Sequence, residues 1–115
     1  MADDSEQGSL HDRIFYRYMS TAEAEAVMES LWLRGARPGR SYWTTERYEH
    51  ASEARRRLAL PTTPEARLEF RITNEPQLLI DGEPAQPKYG EPGGGLEWMT
   101  TDYVNVEVIA VDQLD

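Results

Sequence analysis

Apolar residues recur along the chain with two different periods, and the change between them divides it into two parts. Over residues 24–31 they fall at helical spacing, and Ser20 and Glu23 form a capping box in front of them. This pattern predicts a helix that begins after Ser20 and ends at Gly35. Over residues 66–73 apolar and charged side chains alternate, which is typical of a strand with one buried face.

Shorter runs of apolar and β-branched residues predict the remaining elements, separated by glycines and prolines. A long loop over residues 82–95 holds five of the eight glycines, and a loop of that length in a small domain is functional or disordered. Asp81 and Gly82 predict a turn at the start of this loop. Tyr48 is predicted to lie on the inner face of a second helix. The predicted elements are strands over 14–18, 41–45, 77–80, 96–101 and 104–111, and a second helix over 46–59.

The order of these elements indicates an α+β fold. Two helices come early and most strands come late, so we expect both helices to pack against a mainly antiparallel or split sheet. At 115 residues the chain suits a single domain. We expect that domain over residues 13–115, preceded by a flexible acidic segment over residues 1–12.

Composition excludes several kinds of site. The sequence has no cysteine, and its two histidines, His11 and His50, lie far apart, so no zinc site is expected. No apolar run approaches the length of a membrane span or a signal peptide, so we expect no membrane association. A net charge of −9 argues against nucleic-acid binding. However, seven arginines fall between residues 34 and 57. They form either a solvated helix face or a positive patch that binds a dianionic ligand.

Three features carry candidate chemistry, and each has a plain alternative. Arg17 lies between aromatic residues. It is either a surface arginine or a residue whose guanidinium binds a phosphate or a ribose. The strand over 41–45 places hydroxyls beside aromatic rings, as in a core strand or a pocket wall. Glu97 follows three glycines at a strand start, where it points outward or faces a ligand that the glycines allow close to the backbone.

The order of these features is the layout of ADP-ribosyltransferases. In more detail, the chain resembles the TreTu family of bacterial polymorphic-toxin domains from about residue 14 to residue 114. Five spaced motifs carry the resemblance: YRYMS at 16–20, RGARPG at 34–39, YWTTERY at 42–48, RLALP at 57–61 and GGGLEWMTT at 93–101.

The resemblance implies a secreted effector domain that transfers ADP-ribose from NAD to a protein in the cytoplasm of a target bacterium. The acceptor would be elongation factor Tu, translation would stop, and an immunity protein would be the cognate partner. Arg17 would hold a phosphate or the nicotinamide-side ribose, and Glu97 would be the catalytic carboxylate. Either Tyr42 or Trp43 would stack on nicotinamide, and either Thr44 or Thr45 would brace the site.

One position departs from the pattern of many arginine-modifying members, which carry a second glutamate two residues before the catalytic one. Here that position is Gly95. This departure weakens the expectation that the acceptor is an arginine. An NAD glycohydrolase on the same fold, with water as acceptor, is an alternative. A non-enzymatic acidic interaction module is a third, from a different class.

Overall fold

The structure, a computed structural model, describes residues 10–33 and 39–115. Their secondary structure consists of two α-helices and seven strands, with a short 3₁₀ helix over Leu10–Asp12. The helices are α1 (Thr21–Ser30) and α2 (Ala51–Leu58). The strands are β1 (Phe15–Met19), β2 (Trp32–Leu33), β3 (Ser41–Trp43), β4 (Ala66–Ile72), β5 (Leu78–Pro84), β6 (Leu96–Thr100) and β7 (Val104–Gln113).

The strands form two antiparallel sheets that meet at one point. The first sheet has the order β1-β4-β7-β2 and the second has the order β3-β6-β5. Tyr16 of β1 and Thr44, just after β3, exchange two backbone hydrogen bonds of 2.7 and 2.9 Å. Beyond this bridge β1 and β3 are not paired, so the sheets separate and leave a cleft. The predicted α+β class with antiparallel strands is confirmed.

A cluster of aromatic rings holds the two sheets together. Phe15 of β1 is fully buried, and its ring lies 6.0 Å from Trp43 of β3 and 5.8 Å from Trp98 of β6. On its other side it lies 6.1 Å from Phe70 of β4. Helix α1 adds Val27 to the same core. Phe15 therefore packs against aromatic rings of both sheets.

The predicted start of the first helix is confirmed, but its predicted end is wrong. Ser20 accepts a hydrogen bond from the Glu23 amide, and the Glu23 carboxylate bonds back to the Ser20 amide. The helix stops at Ser30 because Leu31 adopts a left-handed conformation (φ 62°), and the chain then pairs with β7 as β2. The earlier end leaves Gly35 outside the helix, in a part of the chain that the structure does not describe.

We predict that Ser20→Ala lowers the free energy of unfolding by about 1 kcal/mol, because the α1 amides lose their capping oxygen. Urea unfolding followed by circular dichroism measures the change. Ser52→Ala, on the exposed surface of α2 where no side-chain cap is made, is the matched control and should change stability by less than about 0.5 kcal/mol. Equal losses in the two variants would contradict the capping role.

The second helix is shorter than predicted, because tertiary hydrogen bonds take over the backbone of residues 46–50. The Glu46 amide bonds to Thr44 Oγ1, and the Tyr48 amide and carbonyl bond to Tyr18 Oη and Arg67. Burial raises the pKa of Tyr18 to about 12, so its hydroxyl stays protonated. These bonds remove the donors and acceptors that a helix would need. Tyr48 therefore precedes α2 rather than lying on its inner face.

Strand β4 is buried more fully than its alternating pattern predicts. Leu68, Phe70 and Ile72 are in the core as expected, but Arg67 is also buried, with 3% of its surface exposed. Arg67 donates hydrogen bonds to the Tyr48 carbonyl at 2.7 Å and to Asp112 at 2.9 Å. A buried arginine with such partners links the segment before α2 to the central strands of the first sheet.

The predicted turn at Asp81 and Gly82 is wrong. Strand β5 runs through both residues, and its register against β6 shifts between Asp81 and Glu83, as at a β-bulge. Gly82 has a φ of 77°, and a Cβ there would lie 2.8 Å from the Trp98 ring. Asp81 accepts a hydrogen bond from the Trp98 indole at 2.8 Å. This glycine therefore serves a bulge and the close approach of a ring.

The segment over residues 1–12 is described only at its end. Residues 1–9 lie outside the described residues, whereas Leu10 packs against the core and His11 lies 3.1 Å from the Asn74 carbonyl oxygen. Among the described residues no helix is long and apolar enough to cross a membrane.

Candidate functional site

A cavity of about 660 Å³ opens where β1 and β3 separate. Strands β1, β3 and β6 supply one part of its wall, and residues 58–65, which connect α2 to β4, supply another. The loop after β5 closes it with Gln86, Lys88 and Tyr89. Its size lies in the range of small-molecule and cofactor sites. The cleft between the sheets thus becomes a ligand-sized pocket.

Arg17 spans the cleft at the base of this cavity. It has 8% of its surface exposed, and its Nη1 donates a 2.7 Å hydrogen bond to the Tyr42 carbonyl across the gap between β1 and β3. Its Nη2 lies 3.7 Å from the Glu23 carboxylate. Burial lowers its pKa, and the nearby Glu23 opposes that effect. The Nε group is buried without a hydrogen-bond partner, which is uncommon for a polar group in a protein interior.

The strand after the first helix places its predicted site residues differently. Tyr42 is half-buried and lines the cavity, next to Met99 on β6. Trp43 borders the cavity too, but its side chain is 3% exposed and its ring packs edge-on against Phe15. Thr44 lines the cavity and is fully buried, whereas Thr45 is not among the lining residues. Tyr42 and Thr44 are therefore better placed than Trp43 and Thr45.

Glu97 lies on β6, on the same side of the sheet as Met99, and lines the cavity. It is half-buried, and it pairs across the sheet with Glu83 of β5. Burial raises the pKa of Glu97; Lys88 in the loop above opposes this shift, and Glu83 adds to it. Two carboxylates facing each other in a sheet are unfavourable for folding. Such an arrangement is typical of functional sites.

The neighbours of Glu97 predict how its pKa responds to substitution. Lys88→Met should raise the pKa of Glu97 further, because it removes a positive charge, and Glu83→Gln should lower it, because it removes a negative one. Carbon-13 NMR titration of the Glu97 carboxyl measures both changes. Glu107→Gln, at an exposed position on β7, is the control and should leave the titration unchanged. Shifts of the same sign in both variants would contradict this electrostatic assignment.

The glycines before Glu97 have a structural role that the sequence did not predict. The Gly93 and Gly95 amides donate to the Arg56 and Arg57 carbonyls at 3.0 and 2.8 Å, which ties the loop to the end of α2. A Cβ on Gly93 would overlap with the Ala85 carbonyl oxygen. The loop itself is a small hairpin with Tyr89 and Gly90 at its tip, both with positive φ. These glycines fasten the loop to α2, and neither of them lines the cavity.

Sequence reasoning missed some of the residues around the cavity. Glu23 was recognised only as part of a capping box, although its carboxylate also contacts Arg17. Lys88 carried no signal, because its place above Glu97 depends on the hairpin. The 58–65 wall was visible only as the RLALP motif and the prolines around it. Cations and carboxylates line the cavity in equal number: Arg17, Arg40 and Lys88, and Glu23, Glu65 and Glu97.

Chemically, the site offers a fixed guanidinium, an aromatic ring and a carboxylate around one cavity. A guanidinium binds phosphate or ribose oxygens, and a half-buried carboxylate stabilises positive charge that develops beside it. Within residues 10–33 and 39–115, no group of three His, Cys, Asp or Glu side chains is placed to hold a metal ion.

Comparison with known proteins gives a likeness of fold. No protein-family model matches the chain, and no curated protein matches it. Among solved structures the chain is similar to Tne2, determined in complex with Tni2, with a TM-score of 0.68 and 18% sequence identity. The match covers 89% of this chain and 84% of that chain. At this identity the likeness concerns the fold alone, and the chain is a small α+β domain of that architecture.

Proposed function

We propose that this chain is an NAD-dependent mono-ADP-ribosyltransferase toxin domain that acts on a bacterial protein. The observation that carries the proposal is the convergence of Arg17, Tyr42 and Glu97, from three strands and two sheets, on one ligand-sized cavity. The motif resemblance along the chain adds the substrate, the acceptor elongation factor Tu and the setting, the cytoplasm of a target bacterium. Modification of that factor would stop translation.

Each residue has a role in this reaction. Arg17, which lines the cavity, binds an oxygen of the NAD pyrophosphate or ribose with its guanidinium, and Tyr42 stacks on the nicotinamide ring. Thr44 braces the end of the strand that carries Tyr42 through its backbone hydrogen bonds with Tyr16. The bond between ribose C1′ and the nicotinamide nitrogen then breaks, and its electron pair neutralises the charge on nicotinamide. Glu97 stabilises the positive charge that develops on the ribose.

The acceptor completes the reaction. A nucleophilic side chain of the target forms a bond with C1′ and loses its proton to solvent. Nicotinamide leaves as a neutral molecule and needs no general acid, so the cavity requires no histidine. Glu97 must be ionised for this role, and because its pKa is raised, activity should be lost on acidification at a higher pH than for an ordinary glutamate.

A protein partner is part of the proposal. Tne2, which shares the fold, was determined in complex with Tni2. For this chain we propose an immunity protein that binds the domain and prevents entry of NAD. In keeping with this, expression of the domain should harm bacteria unless the partner is present or Glu97 is replaced.

The experiment that tests the proposal uses NAD labelled in the adenylate phosphate. The purified domain is incubated with a bacterial lysate, and proteins are separated and identified by mass spectrometry. Label on elongation factor Tu is the expected result. Loss of NAD and release of nicotinamide with no labelled protein would replace transfer by hydrolysis, and no loss of NAD would leave a non-enzymatic interaction module.

A second candidate, NAD glycohydrolase, is favoured by one observation. The position two residues before Glu97 holds Gly95, and a Cβ there would overlap with the Tyr48 hydroxyl and lie 3.0 Å from the Arg57 carbonyl oxygen. No side chain fits at the place where many arginine-modifying members carry a second glutamate. Water is then an acceptor that needs no such residue. The same labelling experiment separates the two reactions.

A further inference from the structure

Tyr48 lies beneath Gly95, outside the cavity. Its side chain belongs to a small cluster with Tyr18 and Ala54 and is 7% exposed. Its hydroxyl donates a hydrogen bond to the Glu46 carboxylate, and the positive charge of Arg57 opposes the rise that burial causes in the pKa of Tyr48. None of Glu46, Tyr48 and Arg57 lines the cavity. These three residues, which we call the Tyr48 support, therefore have no direct access to a ligand there.

The Tyr48 support is itself held firmly in place. The Tyr48 amide donates to Tyr18 Oη at 2.6 Å, and its carbonyl accepts from Arg67 at 2.7 Å. Its ring packs against that of Tyr18 at 5.6 Å. With the main chain fixed on both sides and the ring in contact with a neighbour, the hydroxyl oxygen has little freedom to move.

Gly95 rests directly on this hydroxyl. A Cβ at Gly95 would overlap with Tyr48 Oη, and it would lie 3.3 Å from Arg57 Cβ. The Gly95 amide donates to the Arg57 carbonyl at 2.8 Å, and its own carbonyl accepts from Ala85 at 2.7 Å. The backbone of Gly95 is thus located from below by Tyr48 and from both sides by hydrogen bonds. Glu97 follows two residues later on β6.

We propose that Tyr48 is a positioning residue. Its hydroxyl fixes the position of the Gly95 backbone and thereby places the Glu97 carboxylate in the cavity. The role is exerted through the backbone and involves no contact with NAD. It rests on the proposed function, since Glu97 is assigned there as the catalytic carboxylate. It also explains why residue 95 is glycine, which does not have a positive φ and is required only for space.

The test is a double-mutant cycle of Tyr48→Phe and Gly95→Ala, with nicotinamide release from NAD as the assay. Tyr48→Phe should lower kcat about tenfold and leave KM for NAD within about twofold, because Glu97 moves while Arg17 and Tyr42 do not. Gly95→Ala alone should lower kcat about a hundredfold. In the Tyr48→Phe background, Gly95→Ala should lower kcat by less than about tenfold, because the Tyr48 hydroxyl oxygen that overlaps with the new Cβ is absent.

Two further variants extend this cycle, one as a control and one as a milder change to the Tyr48 support. Tyr103→Phe removes a hydroxyl from a tyrosine that is 71% exposed and should leave kcat unchanged. Glu46→Gln keeps the size of the hydrogen-bond partner while weakening its hold on Tyr48, and should lower kcat about threefold. If Gly95→Ala does not fold alone but folds together with Tyr48→Phe, that result supports the same contact.

The proposal and the function on which it rests fail differently. An active domain in which Tyr48→Phe matches Tyr103→Phe, or in which the losses of the cycle simply multiply, overturns the positioning role alone. A wild-type domain that does not consume NAD overturns the proposed function and this role with it. Equal changes in kcat and KM in Tyr48→Phe would indicate a general structural defect, and would also overturn the role.

Discussion

Replacement of Glu97 by glutamine is expected to lower the rate of nicotinamide release from NAD by about a thousandfold, because the developing positive charge on ribose loses its counter-charge. Glutamine keeps the shape of the side chain and its place on β6, so NAD binding should change little. Chromatographic measurement of nicotinamide gives kcat, and calorimetry gives the affinity for NAD. Bacteria should tolerate expression of the variant.

The control for this variant is Glu107→Gln on β7, where the side chain is 62% exposed and lies 3.9 Å from Arg71. It removes the same charge from the same kind of secondary structure, and its rate should equal that of the wild type. Label transfer or nicotinamide release that persists in Glu97→Gln at the wild-type rate would remove Glu97 from the mechanism.

Stability gives an independent check on the same substitution. Because burial raises the pKa of Glu97 in the folded state, its ionised form costs folding free energy at neutral pH. That cost disappears as the pH falls below the ordinary carboxyl pKa of about 4.3. Glu97→Gln should therefore unfold at a higher urea concentration than the wild type at pH 7. The difference in stability between the variant and the wild type should vanish at about pH 4.

Phe15→Ala is expected to lower the free energy of unfolding by about 4 kcal/mol. The side chain is fully buried, and its ring contacts Trp43 and Trp98 of one sheet and Phe70 of the other. Its removal leaves a void that rigid neighbours on both sides cannot close. Urea unfolding monitored by tryptophan fluorescence measures the loss, and the two indoles report on the junction directly.

An exposed apolar residue provides the comparison for Phe15. Leu79 on β5 is 57% exposed, and Leu79→Ala should cost less than about 0.5 kcal/mol. A loss in Phe15→Ala as small as that in Leu79→Ala would mean that the sheets are held together elsewhere.

Local signals in the sequence were sufficient for much of the fold. The capping box at Ser20 and the strand β4 depend on neighbours in the chain, and both are confirmed, although Arg67 of β4 is buried where the alternation predicts exposure. Signals failed where distant residues decide the outcome. Residues 46–50 are not helical because Tyr18 and Arg67 bind their backbone. Gly82 lies at a bulge within a strand, where it leaves room for the Trp98 ring, and no local pattern could show that.

The same distinction applies to the candidate site. Arg17, Tyr42, Thr44 and Glu97 were singled out from the sequence and line one cavity, but their chemical roles stay predictions. Whether Tyr42 or Trp43 faces the cavity depends on strand register, which periodicity leaves uncertain by one residue. Lys88 and Glu83 tune Glu97 from a hairpin and a neighbouring strand, so they are recognisable only once β5 and β6 are paired.

The pairing of the first sheet also dictates when the cavity can exist during synthesis. Strand β7 lies inside that sheet between β4 and β2, although it is the last strand in chain order, and β1 pairs with β4 across about half the chain. Contacts between such distant segments form late and slowly. During synthesis, the pocket between Arg17 and Glu97 cannot form until β6 and β7 have emerged from the ribosome. The cavity therefore forms only when both sheets are complete, and a chain truncated before β6 lacks the pocket altogether.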